Sequence, residues 1–578
     1  MNFLYYTKNN NIELFKNFNN LDISNIQNYT PLYKKFFNLN DNNYNTMNLN
    51  NKYHIYKIIN KVNENHYKIV ITDGNGNNNQ KDAFIKFSPL LDISKYMSGK
   101  YINNNKDYSL LPSLNDNQKC HKKVLDSNNS SYIDGFFSYL SSKLLNNYKF
   151  IHGTNFYGTF LGIKDELIAN IDEDIEYLYN CEYFHNNNDK LFRLINFDED
   201  NFFDNETRKY RSKINIKHDE NISFKLDNLN KDNIQYDELF INNDVNHNEL
   251  TEDNLKIHNI NYNNLDTINI NIVDNSNNMT SVKDTNSTYS SRLSNTDSND
   301  NSENLSDYNS SNSMNSSYNS SESIDDDVMA VIYKFPVNII ITEKLDNTLD
   351  SLLELEKKQI NKDEWTSCLF QIIIMLITYQ KYFDFTHNDL HTSNIMFTNT
   401  DKKFLYYKYN DTFYKVPTYG KIYKIIDFGR SIYKYNDKLL FSDSFHSKGD
   451  AATQYNYGPY YNEKRRAIPP NKSFDLCRLG CSLYDYFIDD ISIEHKIKDP
   501  IKQLIIKWCK DDKGKNVLYK NNGDERYEDF KLYKMITRTV HNHIPSNEIK
   551  NPLFQKYIVK RKKINKNKHI MNIDKLIN

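Results

Sequence analysis

The chain has 578 residues, room for roughly two to four domains, with 73 Lys and Arg against 75 Asp and Glu and a formal charge of −2. That balance gives no reason to expect bulk attraction to nucleic acid or to a membrane surface. Gly (14) and Pro (11) are scarce, Tyr (45) and Phe (33) abundant, and Asn is frequent throughout; this bias follows AT-rich coding, so Asn runs and Lys clusters are discounted as binding signals.

Residues 1–52 form a polar, aromatic lead-in of weak periodicity, and its start (Met1 to Tyr6) lacks the basic-then-apolar pattern of a secretion signal. From Tyr53 the pattern becomes strand-like. Tyr53–Ile59 and Tyr67–Ile71 alternate across a polar turn, Asp73-Gly74-Asn75-Gly76 signals a hairpin, and Ala83–Phe87 makes a third strand. Tyr132–Leu145 has helical spacing, Asn155–Leu161 is a fourth strand, and Val337–Glu343 is a fifth. Between the last two lies an insertion, 165–327, partly ordered up to 273. From Asp274 to Asp327 it is dominated by Asn, Ser, Asp and Thr, too polar to offset the entropy of ordering, and is expected to be disordered. A genome-biased linker is preferred there over a set of phospho-acceptor serines.

After Glu343 the chain turns helical: Thr348–Lys358, Trp365–Phe383, Ser473–Phe487 and Pro500–Trp508. The apolar run Leu369–Tyr379 is too short to span a bilayer and fits a buried helix. Residues 558–578 form a basic tail, read as solvated in preference to a nuclear signal or nucleic-acid contact. Among six Cys only Cys477 and Cys481 lie close, without further ligands for zinc, so one face of a buried helix is expected. No disulfide framework is apparent, and a reducing, intracellular, soluble setting follows.

Chemistry concentrates in His387-Asn388-Asp389-Leu390-His391-Thr392-Ser393-Asn394 and Ile425-Ile426-Asp427-Phe428-Gly429. Phosphoryl transfer needs a carboxylate to orient the attacking hydroxyl and oxygen ligands for magnesium on the triphosphate. Asp389 suits the first task; Asn394 and Asp427 suit the second. The pairing matches H-R-D-L-x-x-x-N followed by D-F-G, with Asn388 in place of Arg. Lys86 on the third strand is the candidate phosphate contact, against the plain alternative of a surface Lys. Residues 126–150 contain no Glu to pair with it, and Asp134 is the best acidic candidate. No glycine-rich loop separates the first two strands, where Asn60–Asn65 sits. Ser473-Phe474-Asp475-Leu476-Cys477-Arg478-Leu479-Gly480 is similar to a large-lobe helix pattern, in which Asp475 accepts catalytic-loop amides.

These motifs resemble those of the eukaryotic-type protein kinases, over roughly residues 53–164 and 328–557. Lys86-Phe87-Ser88-Pro89-Leu90-Leu91-Asp92, Val416-Pro417-Thr418-Tyr419-Gly420, Phe474–Gly480 and Asn521-Asn522-Gly523-Asp524-Glu525-Arg526-Tyr527 are more narrowly similar to kinase-like proteins of giant DNA viruses. His391, where most such enzymes have Lys, and the long link from Phe397 to Lys421 resemble the haspin type. The resemblance implies an α+β, bilobal kinase-like fold: a small β-rich lobe (53–164, then 328–347 as last strand and hinge), interrupted by the long insertion, and a larger helical lobe (348–557). It implies ATP and Mg2+ as cofactors, with Lys86, Asp134, Glu343 and Leu345 at the nucleotide, Asn394 and Asp427 at the metal, and Asp389 and His391 catalytic. It further implies a monomeric serine/threonine protein kinase acting on a protein substrate, with no membrane or nucleic-acid partner, in a host cytoplasm or virion. Two other readings stand beside it: a pseudokinase scaffold and a small-molecule phosphotransferase.

Overall fold

The computed structural model describes residues 6–18, 21–73, 75–101, 107–115, 119–197, 328–355 and 361–577. The segment expected to be disordered, Asp274–Asp327, lies outside them. The chain is a mixed α+β protein built on one large antiparallel sheet followed by a helical region.

Seven strands make the sheet: β1 (Ile23–Gln27), β2 (His54–Lys61), β3 (His66–Thr72), β4 (Asn78–Pro89), β5 (Phe156–Asn170), β6 (Phe192–Ile195) and β7 (Met329–Glu343). Their order is β1-β5-β7-β4-β3-β2, with β6 added along the start of β7. Period-two alternation drives this assembly. Ala83, Ile85 and Phe87 of β4 are buried on one face, which puts Lys86 on the other. β4 and β7 are locked in register from Ala83↔Glu343 to Pro89↔Val337.

Two parts of the sheet exceed the sequence expectation. β5 and β7 pair from Phe156↔Thr342 to Asn170↔Met329, well past residue 164, because Leu167 and Ala169 continue the buried alternation opposite Ala330 and Ile332. Short helices Ile175–Tyr179 and Glu182–Asn187 then lead into β6, with Phe184 stacked on Phe192 at 5.2 Å. The lead-in also contributes. Its residues Ile23–Gln27 supply β1, and helix Ile12–Phe18 buries Leu14 and Phe18.

Helix α1 (Ser130–Tyr148) packs on the sheet, its first turn capped by Asn129, whose side chain accepts the Ser131 N–H. Gly135 permits the close approach: a Cβ there would lie 3.2 Å from Asn338 Nδ2 on β7. Asn338 donates to the Ser131 carbonyl at 2.7 Å and accepts the Thr159 hydroxyl at 2.7 Å, so the helix is fixed to two strands through one buried amide.

Beyond the sheet, α2 (Lys362–Phe383) is buried along nearly all its length, which accounts for its uninterrupted apolar run. Helix α3 (Phe474–Phe487) packs between α4 (Pro500–Trp508), which touches α2, and α5 (Phe530–Thr539). Of strands β8 (Ile395–Asn399), β9 (Phe404–Tyr409), β10 (Thr412–Pro417), β11 (Lys421–Ile425), β12 (Ile432–Tyr435) and β13 (Lys438–Phe441), only β11 coincides with an expected strand, the one over Tyr423–Ile426 before Asp427. Two of their hairpins turn on Asn-Asp pairs, Asn410-Asp411 and Asn436-Asp437, all four at positive φ (44–59°), the backbone required by tight two-residue turns. The basic tail is docked and not solvated throughout: Met571–Asn572 (β14) pairs with β9, and the Tyr382 hydroxyl donates to the Ile573 carbonyl. Among the described residues no helix is long and apolar enough to cross a membrane.

Candidate active site

β4, α1 and the turn after β11 bring Lys86, Asp134 and Asp427 together. The Lys86 ammonium lies 2.8 Å from Asp134 Oδ2 and 3.0 Å from Asp427 Oδ1. The other Asp134 oxygen accepts the Phe428 N–H at 2.9 Å. Asp134 therefore pairs with the strand Lys despite being one methylene shorter than Glu. One cation between two carboxylates cannot satisfy both. Burial, opposed by Lys86 and reinforced by Asp427, raises Asp134 above the usual carboxylate range. For Asp427, burial is outweighed by Lys86 and its carboxyl is held low. Burial works against the Lys86 charge, but the two carboxylates prevail and raise its pKa.

The second cluster sits in the loop after α2. The register Ile395↔Ile425 between β8 and β11 sets Asn394 beside Ile426, whose N–H donates to the Asn394 carbonyl at 3.1 Å. The Asn394 side-chain nitrogen donates to the Asp389 carbonyl at 2.9 Å and meets His391 Nε2 at 3.0 Å. That orientation leaves the amide oxygen as the outward group. Asp427 and Asn394 thus offer one carboxylate and one amide oxygen, hard ligands of the kind magnesium takes, beside a trio whose charge is one positive short. Among the described residues no group of three or more His, Cys, Asp or Glu side chains forms a metal cluster, so any such ion would rest on these two oxygen donors.

His391 is buried, and burial, partly offset by Asp389, lowers its pKa to about 4. With Nε2 accepting from Asn394, the ring is neutral at physiological pH and supplies no charge.

Asp389 has partners that the sequence did not announce. Tyr533, on α5, donates its hydroxyl to Asp389 Oδ1 at 2.8 Å and accepts from Arg478 Nε at 2.9 Å. Arg430, the residue after Gly429, stands 3.7 Å from Asp389 Oδ2 and 2.6 Å from Asp450. Burial pushes the Asp389 carboxyl up, but Arg430, His391, Arg478 and Tyr533 outweigh it and hold it at about 2. Position alone could have flagged Arg430, which directly follows the metal-loop motif. No local signal marks Tyr533, 144 residues downstream.

Asp475, buried at the start of α3, accepts the N–H groups of His387 at 2.9 Å and Asn388 at 2.9 Å, the task expected of it. Asn388 has φ 66°, accepts the Tyr455 hydroxyl at 2.6 Å and donates to the Arg430 carbonyl at 2.9 Å; it fastens the loop from within.

Glu343 and Leu345 lie at the end of β7. The Glu343 carboxylate forms an ion pair with Lys424 and accepts the Asn155 N–H at 2.9 Å; it does not join the Lys86 cluster. Lys424 also donates to the Gly153 carbonyl at 3.0 Å. Next to it His152 spans the Tyr423 carbonyl and the Tyr407 hydroxyl, 2.8 Å from each. Leu345 is buried.

Compared with models of known protein families and with curated proteins, the chain finds no match.

Proposed function

We propose that this chain is an ATP- and magnesium-dependent protein kinase of bilobal fold, passing the γ-phosphate to serine or threonine hydroxyls. The reading is carried by one observation: the Lys86–Asp134–Asp427 cluster adjoins a loop that presents Asp389 and Asn394. The strand order β2-β3-β4-β7-β5, with the Lys on the third of these strands and its acidic partner on the helix beneath, supports the same view. Kinase, ATP-binding and a viral setting all rest on that reading and on the sequence resemblance.

In this scheme Asp427 and Asn394 would hold magnesium, and the ion would supply positive charge against the nucleotide phosphates. Lys86 keeps its proton and contacts phosphate oxygens. Asp389 is ionised at neutral pH and accepts a hydrogen bond from the substrate hydroxyl. A carboxylate held at about 2 is a weak base, so its main work is orientation, with the proton taken late in the transfer. Neutral His391 stiffens the loop through Asn394. Positive charge near the reacting group comes from Arg430.

The test is radiolabelled phosphate transfer from ATP with magnesium, into the chain itself and into generic protein acceptors, beside Asp389→Asn. Transfer that falls by roughly 10²–10⁴-fold in the variant is expected. Transfer that survives intact in Asp389→Asn overturns the assignment. A specific feature favours the scaffold reading: Tyr533 already occupies one Asp389 oxygen. A folded protein whose thermal transition ignores ATP with magnesium would decide for it.

A further inference from the structure

Away from this site, β9 has an open edge. It pairs with β10 along its whole length, from Phe404↔Pro417 to Tyr409↔Thr412. On the other side β14 covers only Tyr407 and Lys408. Among the described residues, Phe404, Leu405 and Tyr406 have no strand on that side. Unpaired strand edges present a row of N–H and C=O groups ready for another chain.

The same three residues line a cavity of about 940 Å³. Its apolar walls come from Leu145 at the end of α1, Ile151 just after it, and Met571 of β14. Its charge is one-sided. Lys149, Lys402, Lys403, Lys415 and Lys568 line it, against one acid, Asp401, in a chain that is otherwise balanced at 73 basic and 75 acidic residues. None of the five lysines has a carboxylate partner among the described residues; the Lys415 ammonium instead sits 4.0 Å above the Phe404 ring. A smaller hollow of about 260 Å³ continues along Lys402 and Lys403 to Tyr419 and Gly420, which makes the feature elongated.

We infer that this groove is the docking site for an extended acidic segment of a partner protein, added as a strand beside Phe404–Tyr406. Strand addition supplies main-chain hydrogen bonds, while alternate side chains give specificity. Apolar side chains of the segment enter between Leu145, Ile151 and Met571. Its carboxylates face the lysines, five against the single lining acid Asp401. The proposal is independent of phosphoryl transfer. The competing account makes the lysines guards that keep β9 from pairing with anything; it forbids binding of an acidic strand.

The probe is a dye-labelled octapeptide alternating Glu or Asp with Val, Ile and Phe, titrated with the full-length chain by fluorescence polarisation. Saturable binding is expected, weaker at 300 mM than at 50 mM salt. Lys402→Glu combined with Lys403→Glu, both exposed in the fold, should weaken it at least tenfold. N-methylation of alternate peptide amides should do the same without touching the protein. No saturable binding overturns the proposal. Equal binding of the N-methylated peptide overturns strand addition, and unchanged binding to the charge-reversed chain overturns the lysine rim. If dodecyl phosphate binds and the peptide does not, the cavity serves a single-chain anion and the proposal falls.

Discussion

Replacing Lys86 with Met removes the cation between buried Asp134 and half-buried Asp427. Breaking a buried ion pair from one side costs about 3–5 kcal/mol, because the remaining charge stays desolvated. Asp134 is 4 % exposed at the side chain, whereas Asp427 is 25 % exposed and partly screened by water, so the lower end, about 3 kcal/mol, is expected. The cost should depend on pH. Asp134 already has a raised folded pKa, from burial first and then from Asp427. Without Lys86 it rises further. A carboxyl whose folded pKa lies above its unfolded value stabilises the fold below that unfolded value, and the benefit is lost as pH rises through the folded pKa. The Lys86→Met penalty is therefore small near pH 4 and grows toward pH 7. Urea unfolding of wild type, Lys86→Met, Asp134→Asn and the double variant at pH 4.5 and 7.5 measures it. The double variant should recover more than half of the loss. An equal penalty at both pH values, or a double variant no more stable than Lys86→Met, would refute the reasoning.

Three further outcomes are expected. Tyr533→Phe deletes a donor to ionised Asp389, so under the proposed kinase reading the acid limb of phosphate transfer should move to higher pH by about one unit, or about 1.4 kcal/mol; an unmoved limb shows that the hydroxyl does not help hold the carboxylate down. Gly153→Ala places a Cβ 2.3 Å from the Ser141 carbonyl and 3.0 Å from Leu145 Cβ, an overpacked junction costing about 2 kcal/mol in thermal or urea unfolding; wild-type stability contradicts it. His152 and His391 are both lowered to about 4, chiefly by burial. Their stabilisation is complete above pH 6.5 and is lost as pH falls toward 4, so the urea midpoint should drop across that window and His152→Gln should flatten the slope.

The candidate site was legible where it is local. Asp389 and Asn394 share one loop, and Asp427 follows within one strand pair, so spacing alone set them apart from other acids and amides. Asp134 could be found by elimination, since its helix contains no Glu. Tyr533 could not. In a chain with 45 Tyr, one more on an amphipathic helix carries no mark, and its contact with Asp389 exists only after α5 packs beneath the loop. The two hairpins missed between Phe404 and Phe441 were signalled by Asn410-Asp411 and Asn436-Asp437, but an Asn-rich background hid two turns that need positive φ. The overlong β5 and β7 were missed for another reason: their continuation is stabilised by each other, and pairing partners 160 residues apart leave no trace in a local window.

The seam formed by His152, Lys424 and Glu343 joins the large sheet to β9 and β11 behind the Lys86 cluster. Prising it apart would leave an imidazole and an ammonium buried without partners, at a cost of several kcal/mol. Separating β7 from β11 therefore means breaking this seam first, so His152 and Glu343, which touch neither Lys86 nor Asp134, help set how firmly the large sheet is held to the strand that leads into Asp427.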